Sequence, residues 1–249
     1  AGKIIRTLRG PARAGLNRAC WDLRESPPIA DPTPAPIASC IPAASVAANP
    51  LIPPSGQIPN AGGGGGGRGG RGGGPVVMPG RYTVVVGSLK QEVTVEPDPS
   101  FTISESDRQT RHAAIAGAYS IQQQLAPVRE AAQKLTEQMA GLRQYFSAAG
   151  DSGKASLAAI DKVTPEIAAA QAQIDRSIAS AAQVENAMDG YDGLPTAAQL
   201  RQIEWDWEDA AAAANALNKL INESIPAAYS SMGGAVRPPP LKPVAVPAR

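Results

Sequence analysis

The chain has 249 residues, a formal net charge of +1 and only 4% aromatic residues. No stretch approaches the run of about 18 apolar residues that a membrane-spanning helix needs, so such a helix is excluded. Ten prolines lie between Pro27 and Pro59, and eleven of the thirteen residues from Gly62 to Gly74 are glycine, so neither stretch supplies a hydrophobic core.

Charge is uneven along the chain. Residues 1–103 carry ten Lys/Arg against six Asp/Glu, residues 104–225 carry ten against sixteen, and residues 226–249 carry three against none. A β-rich part of net +4 therefore precedes a helical part of net −6. The chain opens at Ala1 without an initiating Met and soon enters an apolar run, as a fragment of a longer protein does.

Lys3 to Leu8 is a short β-prone run, and Arg9 to Gly15 has the Gly and Pro punctuation of a turn. In Leu16 to Arg24, Ala19, Trp21 and Leu23 point one way and Arg18, Cys20, Asp22 and Arg24 the other, which makes Trp21 the large anchor of a small sandwich. Cys20 and Cys40 are the only cysteines. They either pair in an oxidising compartment, closing a loop that contributes about 3 kcal/mol on the chain-entropy model, or serve as small buried residues.

The prolines from Ser26 to Asn60 forbid helix and central strand alike and predict an extended, disordered insertion. Arg68 and Arg71 give the glycine tract an arginine-glycine pattern, but no aromatic is interleaved, so a solvated linker is favoured over nucleic-acid binding. Pro79 to Glu96 then reads as a β-hairpin. Tyr82, Val84 and Val86 alternate with their neighbours, Gly87-Ser88 suits a two-residue turn, and Val93 and Val95 resume the alternation. A two-stranded hairpin is marginal alone, so the earlier runs at Lys3–Leu8 and Leu16–Arg24 are its expected partners.

Thr102 or Ser104 begins a helix, with Glu105 or Asp107 at capping-box spacing. Ile121, Leu125, Val128, Ala132, Leu135, Met139, Leu142 and Phe146 recur at alternating spacings of four and three. A second stripe runs Ile160, Val163, Ile167, Ala170, Ile174, Ser177, Ala181, Val184 and Met188, and a third runs Leu200, Ile203, Trp207, Ala210, Ala214, Leu217 and Ile221. Three such stripes, broken at Ala148–Gly153 and Asp189–Pro195, predict three long antiparallel helices. Pro127 is expected to kink or split the first, and Thr164-Pro165-Glu166 to divide the second. Thr196 and Gln199 form a capping box for the third, and Pro226 is expected to end it in an extended or disordered tail.

Little of this carries chemistry. His112 is the only histidine and reads as a surface residue of the first helix, with no second imidazole for a metal site. Glu204, Asp206, Glu208 and Asp209 form an acidic cluster able to hold a cation, yet a solvated helix face is the favoured reading. Asp189 and Asp192 match part of a calcium loop whose bidentate Glu is missing, so a turn is the better account. Trp207 lies on its seam and is expected in the core. Trp205 lies off it and is the candidate docking residue. No catalytic residue, cofactor site or metal site is assigned, and enzymatic activity is left open.

Three pieces together resemble a known family: GLNRACWDLR at Gly15–Arg24, PGRYTV at Pro79–Val84, and the heptad helices that follow a Pro- and Gly-rich insertion. They look like the C-terminal end of large secreted bacterial β-propeller proteins of the sortilin-like, BNR-repeat group, often labelled glycosyl hydrolases. The β part also resembles the Ig-like domain of the flagellar hook-capping protein. The Ser-x-Asp-x-Gly-x-Thr-Trp box of propeller blades is nowhere in this chain, and the Ig-like domain lacks its first strands.

The expected fold is therefore α+β. A truncated Ig-like β domain over 1–101, with a Pro/Gly-rich disordered insertion at 27–75, precedes an antiparallel three-helix bundle over 102–225 and an extended or disordered tail over 226–249. The resemblance implies an exported protein, periplasmic or extracellular, and a non-catalytic, structural or docking role whose partner is its own upstream propeller or another protein. The alternatives are part of a glycoside-acting hydrolase whose catalytic propeller lies outside this chain and, more weakly, nucleic-acid binding through the Arg-Gly tract.

Overall fold

The computed structural model describes residues 2–8, 10, 14–17, 19–29, 74–100, 103–191, 193–232, 236 and 242–249. The fold is α+β, with one two-stranded antiparallel sheet and three long helices among the described residues. The chain divides into two compact units. One comprises residues 1–108 with 189–192, the other residues 109–188 with 193–249.

In the first unit β1 (Gly80–Val86) pairs with β2 (Leu89–Val95) across a two-residue turn at Gly87-Ser88. Gly87 takes φ +61, a conformation in which a side chain is strained, so its place at the turn follows from having none. Tyr82 lies opposite Val93, and their face is half-buried only at its base. The Trp21 ring meets the Tyr82 ring edge-on, with centroids 5.5 Å apart.

The described residues do not form the sandwich expected around this hairpin. Among the described residues Lys3–Leu8 and Leu16–Arg24 form no strand, and they meet the rest of the unit through scattered backbone bonds and the side chains of Arg6, Trp21 and Arg24. The Ser26 N–H donates to the Ile5 carbonyl at 2.8 Å, and the Glu25 N–H to the Pro75 carbonyl at 3.0 Å. One isolated bridge joins Arg24 and Val76. A strand partner must also bury the apolar side of its alternation, yet Ile4 and Leu16 are both strongly exposed. The insertion is corrected at its end, where Gly74 and Pro75 are buried; residues 30–73 lie outside the described residues.

The helices are α1 (Glu105–Ala148), α2 (Lys154–Asp189) and α3 (Ala197–Lys219). Ser104 accepts a hydrogen bond from the Asp107 N–H at 3.1 Å and so caps α1, while Thr102 lies outside the described residues. Thr196 and Gln199 form a full capping box at the start of α3. Neither helix is split at its proline, because α1 runs through Pro127 and α2 through Pro165. Each proline robs the carbonyl four residues earlier of its donor, but Pro127, Gln123, Pro165 and Asp161 are all exposed, so water can hydrate the released carbonyls.

The antiparallel course of α1 and α2 is visible in their polar cross-links. Arg143 pairs with Asp161 at 2.5 Å and Arg129 with Asp175 at 2.8 Å, and Gln122 donates to Glu185 at 2.5 Å. As one number falls the other rises. Ser180 bonds Asp206 and Glu166 bonds Ser224, which sets α3 antiparallel to α2 in the same way.

The three stripes meet in one apolar core whose largest fully buried side chains include Ile121, Leu125, Leu135, Ile160, Ile167, Ile174 and Leu217. Ser177 is buried in its seam and satisfied by the Gln173 carbonyl, whereas Leu200, expected at the head of the third stripe, is exposed.

The tail expected from Pro226 is also corrected. A π turn (Leu220–Ser224) follows α3 directly and leads into α4 (Ile225–Ser231), which carries Pro226 in its first turn. The Ile225 N–H reaches back to the Leu220 carbonyl, five residues earlier. That wider turn makes room for the proline ring, and Ile225, Ala228 and Tyr229 enter the core behind it. Residues 242–249 have no regular secondary structure but are held to the helices by side-chain amides, with Val244 half-buried and Pro247 buried.

Candidate docking surfaces

The hairpin is the most exposed apolar element. Tyr82, Val84 and Val86 share a face with Val93 and Leu89 by register. Its base is fixed, since the Tyr82 hydroxyl donates to the Met78 carbonyl at 2.5 Å and the Trp21 indole N–H to the Arg24 carbonyl at 2.8 Å. Burial, with a smaller contribution from the nearby Glu25 charge, raises the Tyr82 pKa above the usual phenol range. Beyond that base the same face is open. Val84 is 43%, Val86 69% and Leu89 74% exposed, and Val85 on the opposite face is 57% exposed. Both outer edges of the sheet lack a strand partner among the described residues.

Behind the hairpin, Arg24 is buried. Its guanidinium donates to the Gly74 carbonyl at 3.0 Å and to Asp189 at 2.5 Å. This uses Asp189 in an ion pair, and Asp192 lies outside the described residues. Cys20 is disulfide-bonded, while Cys40, the partner expected from the sequence, lies outside the described residues, as do Arg68 and Arg71.

Trp205 is 47% exposed, with the Arg201 guanidinium 5.3 Å from the centre of its ring and Arg201 also paired with Glu204. Trp207 is buried at 9% exposure. The acidic cluster divides in the same manner. Glu208 and Asp209 are exposed, but Asp206 is fully buried, accepting from Ser180 at 2.7 Å and from Gln202 at 3.0 Å. The expectation of a uniformly solvated face is therefore corrected at Asp206, which sits one residue before Trp207 on the inward side. No group of three metal-ligating side chains forms among the described residues. His112 is half-buried rather than a surface residue.

Sequence reasoning missed two polar side chains, Gln124 and Asn218, which bind the main chain of Ala248 and Val244. Nothing in their neighbourhood marks them, since isolated amides on long helices are ordinary surface residues. In comparisons with known proteins, no family model, curated protein or solved structure matches the chain.

Proposed function

We propose that the chain is a non-catalytic docking region of an exported β-propeller protein, and that the hairpin is its contact element. The observation that carries this reading is the uncovered outer half of an apolar sheet face, Val84, Val86 and Leu89, on a hairpin whose base is anchored by Trp21 and Tyr82. A two-stranded sheet with open edges gains stability by accepting strands from elsewhere, and main-chain pairing is a common mode of docking. The remaining strands of an Ig-like sandwich then come from the partner rather than from this chain. Trp205, with Arg201 stacked over its ring, is the contact the helical unit offers. A disulfide-bonded Cys20 fits an oxidising, extracytoplasmic compartment.

The test has two parts. The gene upstream of Ala1 should encode propeller blades carrying the Ser-x-Asp-x-Gly-x-Thr-Trp box, and a gene without them overturns the propeller assignment. The expressed propeller should bind this chain in calorimetry, and Val86→Lys with Leu89→Lys should weaken binding by about tenfold or more, leaving the helical circular dichroism unchanged. Equal affinity with and without the two lysines removes the hairpin from the interface.

A further inference from the structure

Residues 242–249 are held in a manner that resembles a bound peptide. Asn218 on α3 donates its side-chain N–H to the Val244 carbonyl at 3.0 Å and accepts the Val244 N–H at 2.7 Å. Gln124 on α1 does the same for Ala248, at 3.0 Å and 2.9 Å. A carboxamide carries one acceptor and one donor group side by side, so it can satisfy both polar groups of one residue's main chain, as a neighbouring strand would. The Gln124 amide also donates to the Ser120 hydroxyl at 3.2 Å, which fixes its orientation.

Along the held segment the side chains sort by position. Val244 packs against the apolar core and Pro247 is buried, while Ala245 and Val246 face out. Proline suits the buried position because it brings no N–H that would need a partner there. Inward residues three apart suit a polyproline-type chain, in which clamped residues four apart span roughly 12 Å. Recognition therefore reads an extended main chain at two points, an apolar residue at the first of them and a proline just before the second.

We infer that Gln124 and Asn218 form a receptor for an extended Pro-Val-Ala-Val-Pro-Ala type of peptide, and that the chain's own residues 242–249 are its resident, intramolecular ligand. Tethering gives the resident segment an effective concentration in the millimolar range, so a competing peptide in solution enters only when the resident contact is weakened.

Amide exchange and peptide binding test this together. In the full chain the Val244 and Ala248 N–H groups should be protected from exchange, with Asn218→Ala exposing the first and Gln124→Ala the second by about tenfold, while helix amides keep their protection. Unprotected amides in the unaltered chain overturn the clamp. A labelled peptide of residues 241–249 should bind the full chain carrying Val244→Asp and Pro247→Asp at least about tenfold more tightly than the unaltered chain. Adding Gln124→Ala and Asn218→Ala to that variant should abolish binding. Equal binding to all three chains overturns the receptor. A dimer of the unaltered chain that dissociates on Gln124→Ala would seat a second copy's segment in the groove and overturn the intramolecular assignment.

Discussion

Gly153 occupies a point where a methyl group has no room. A Cβ built there would lie 2.1 Å from the Phe146 carbonyl oxygen, an atom of the backbone that cannot swing away. Gly153→Ala should therefore cost about 1–3 kcal/mol, read as a lower urea midpoint of the helical signal. Trp207→Ala should open a cavity and cost about 3–5 kcal/mol in the same measurement, whereas Trp205→Ala should cost much less. Equal losses would contradict the burial difference between the two.

Burial raises the Tyr229 phenol above its usual range, as burial and then the Glu25 charge do for Tyr82. A phenol whose folded pKa lies above its unfolded value of about 10 contributes stability that is present below that value and fades as pH rises through the folded pKa. Alkaline titration of the folded chain should show two phenols ionising later than in urea, and Tyr82→Phe and Tyr229→Phe should each remove one. At this scale the sequence read well where a residue type matched its seam, as at Ile174 or Trp207. It failed at Asp206, because a carboxylate among other acidic residues reads as solvated unless the partners that bury it, Ser180 and Gln202, are already known to be nearby.

Among the elements, the π turn is the one that answers to a single residue. A regular helix through Pro226 would drive its ring into the carbonyl of residue 222, and the extra residue of the π turn avoids that collision. Deleting exposed Asn222 should restore a regular helix at a cost of about 3 kcal/mol with Pro226 present and close to none in a Pro226→Ala background. A double-mutant cycle on chemical denaturation measures the coupling, and additive losses would sever the link between turn and proline. Pro226 read as a helix stop for an understandable reason, since proline ends most helices and nothing local announces a π turn. The hairpin was legible from its alternation and its Gly87-Ser88 turn. Its missing partners were not, because β-prone composition at Lys3–Leu8 and Leu16–Arg24 says nothing about whether a ladder can be reached.

At the scale of the whole molecule, stability is unevenly supplied. Among the described residues the apolar core lies within the helical unit, from Ile115 to Met232, while Val77 is the buried large aliphatic side chain of the other. A chain of residues 103–249 should melt cooperatively with strong helical circular dichroism, whereas residues 1–100 alone should show no cooperative transition. A cooperative melt from the second and not from the first would invert this account. The heptad spacing made the helical unit readable because a single geometric period accounts for most of its core. The bound segment at 242–249 was hidden by the same logic, since its composition is that of an unfolded tail and its attachment depends on two amides more than a hundred residues apart in one case.

The order of cross-links between α1 and α2 also bears on how the chain finds its fold. Arg143 and Asp161 lie nearest the Gly150–Gly153 turn, Arg129 and Asp175 farther out, and Gln122 and Glu185 farther still. Once the turn has formed, each cross-link closes only a short additional loop, so the pair can zip from the turn outward at little entropic cost. A molecule built this way collapses quickly around one corner. The α2–α3 pair closes in the same way from its own connection, Ser180–Asp206 before Glu166–Ser224, so each corner needs only contacts local to it.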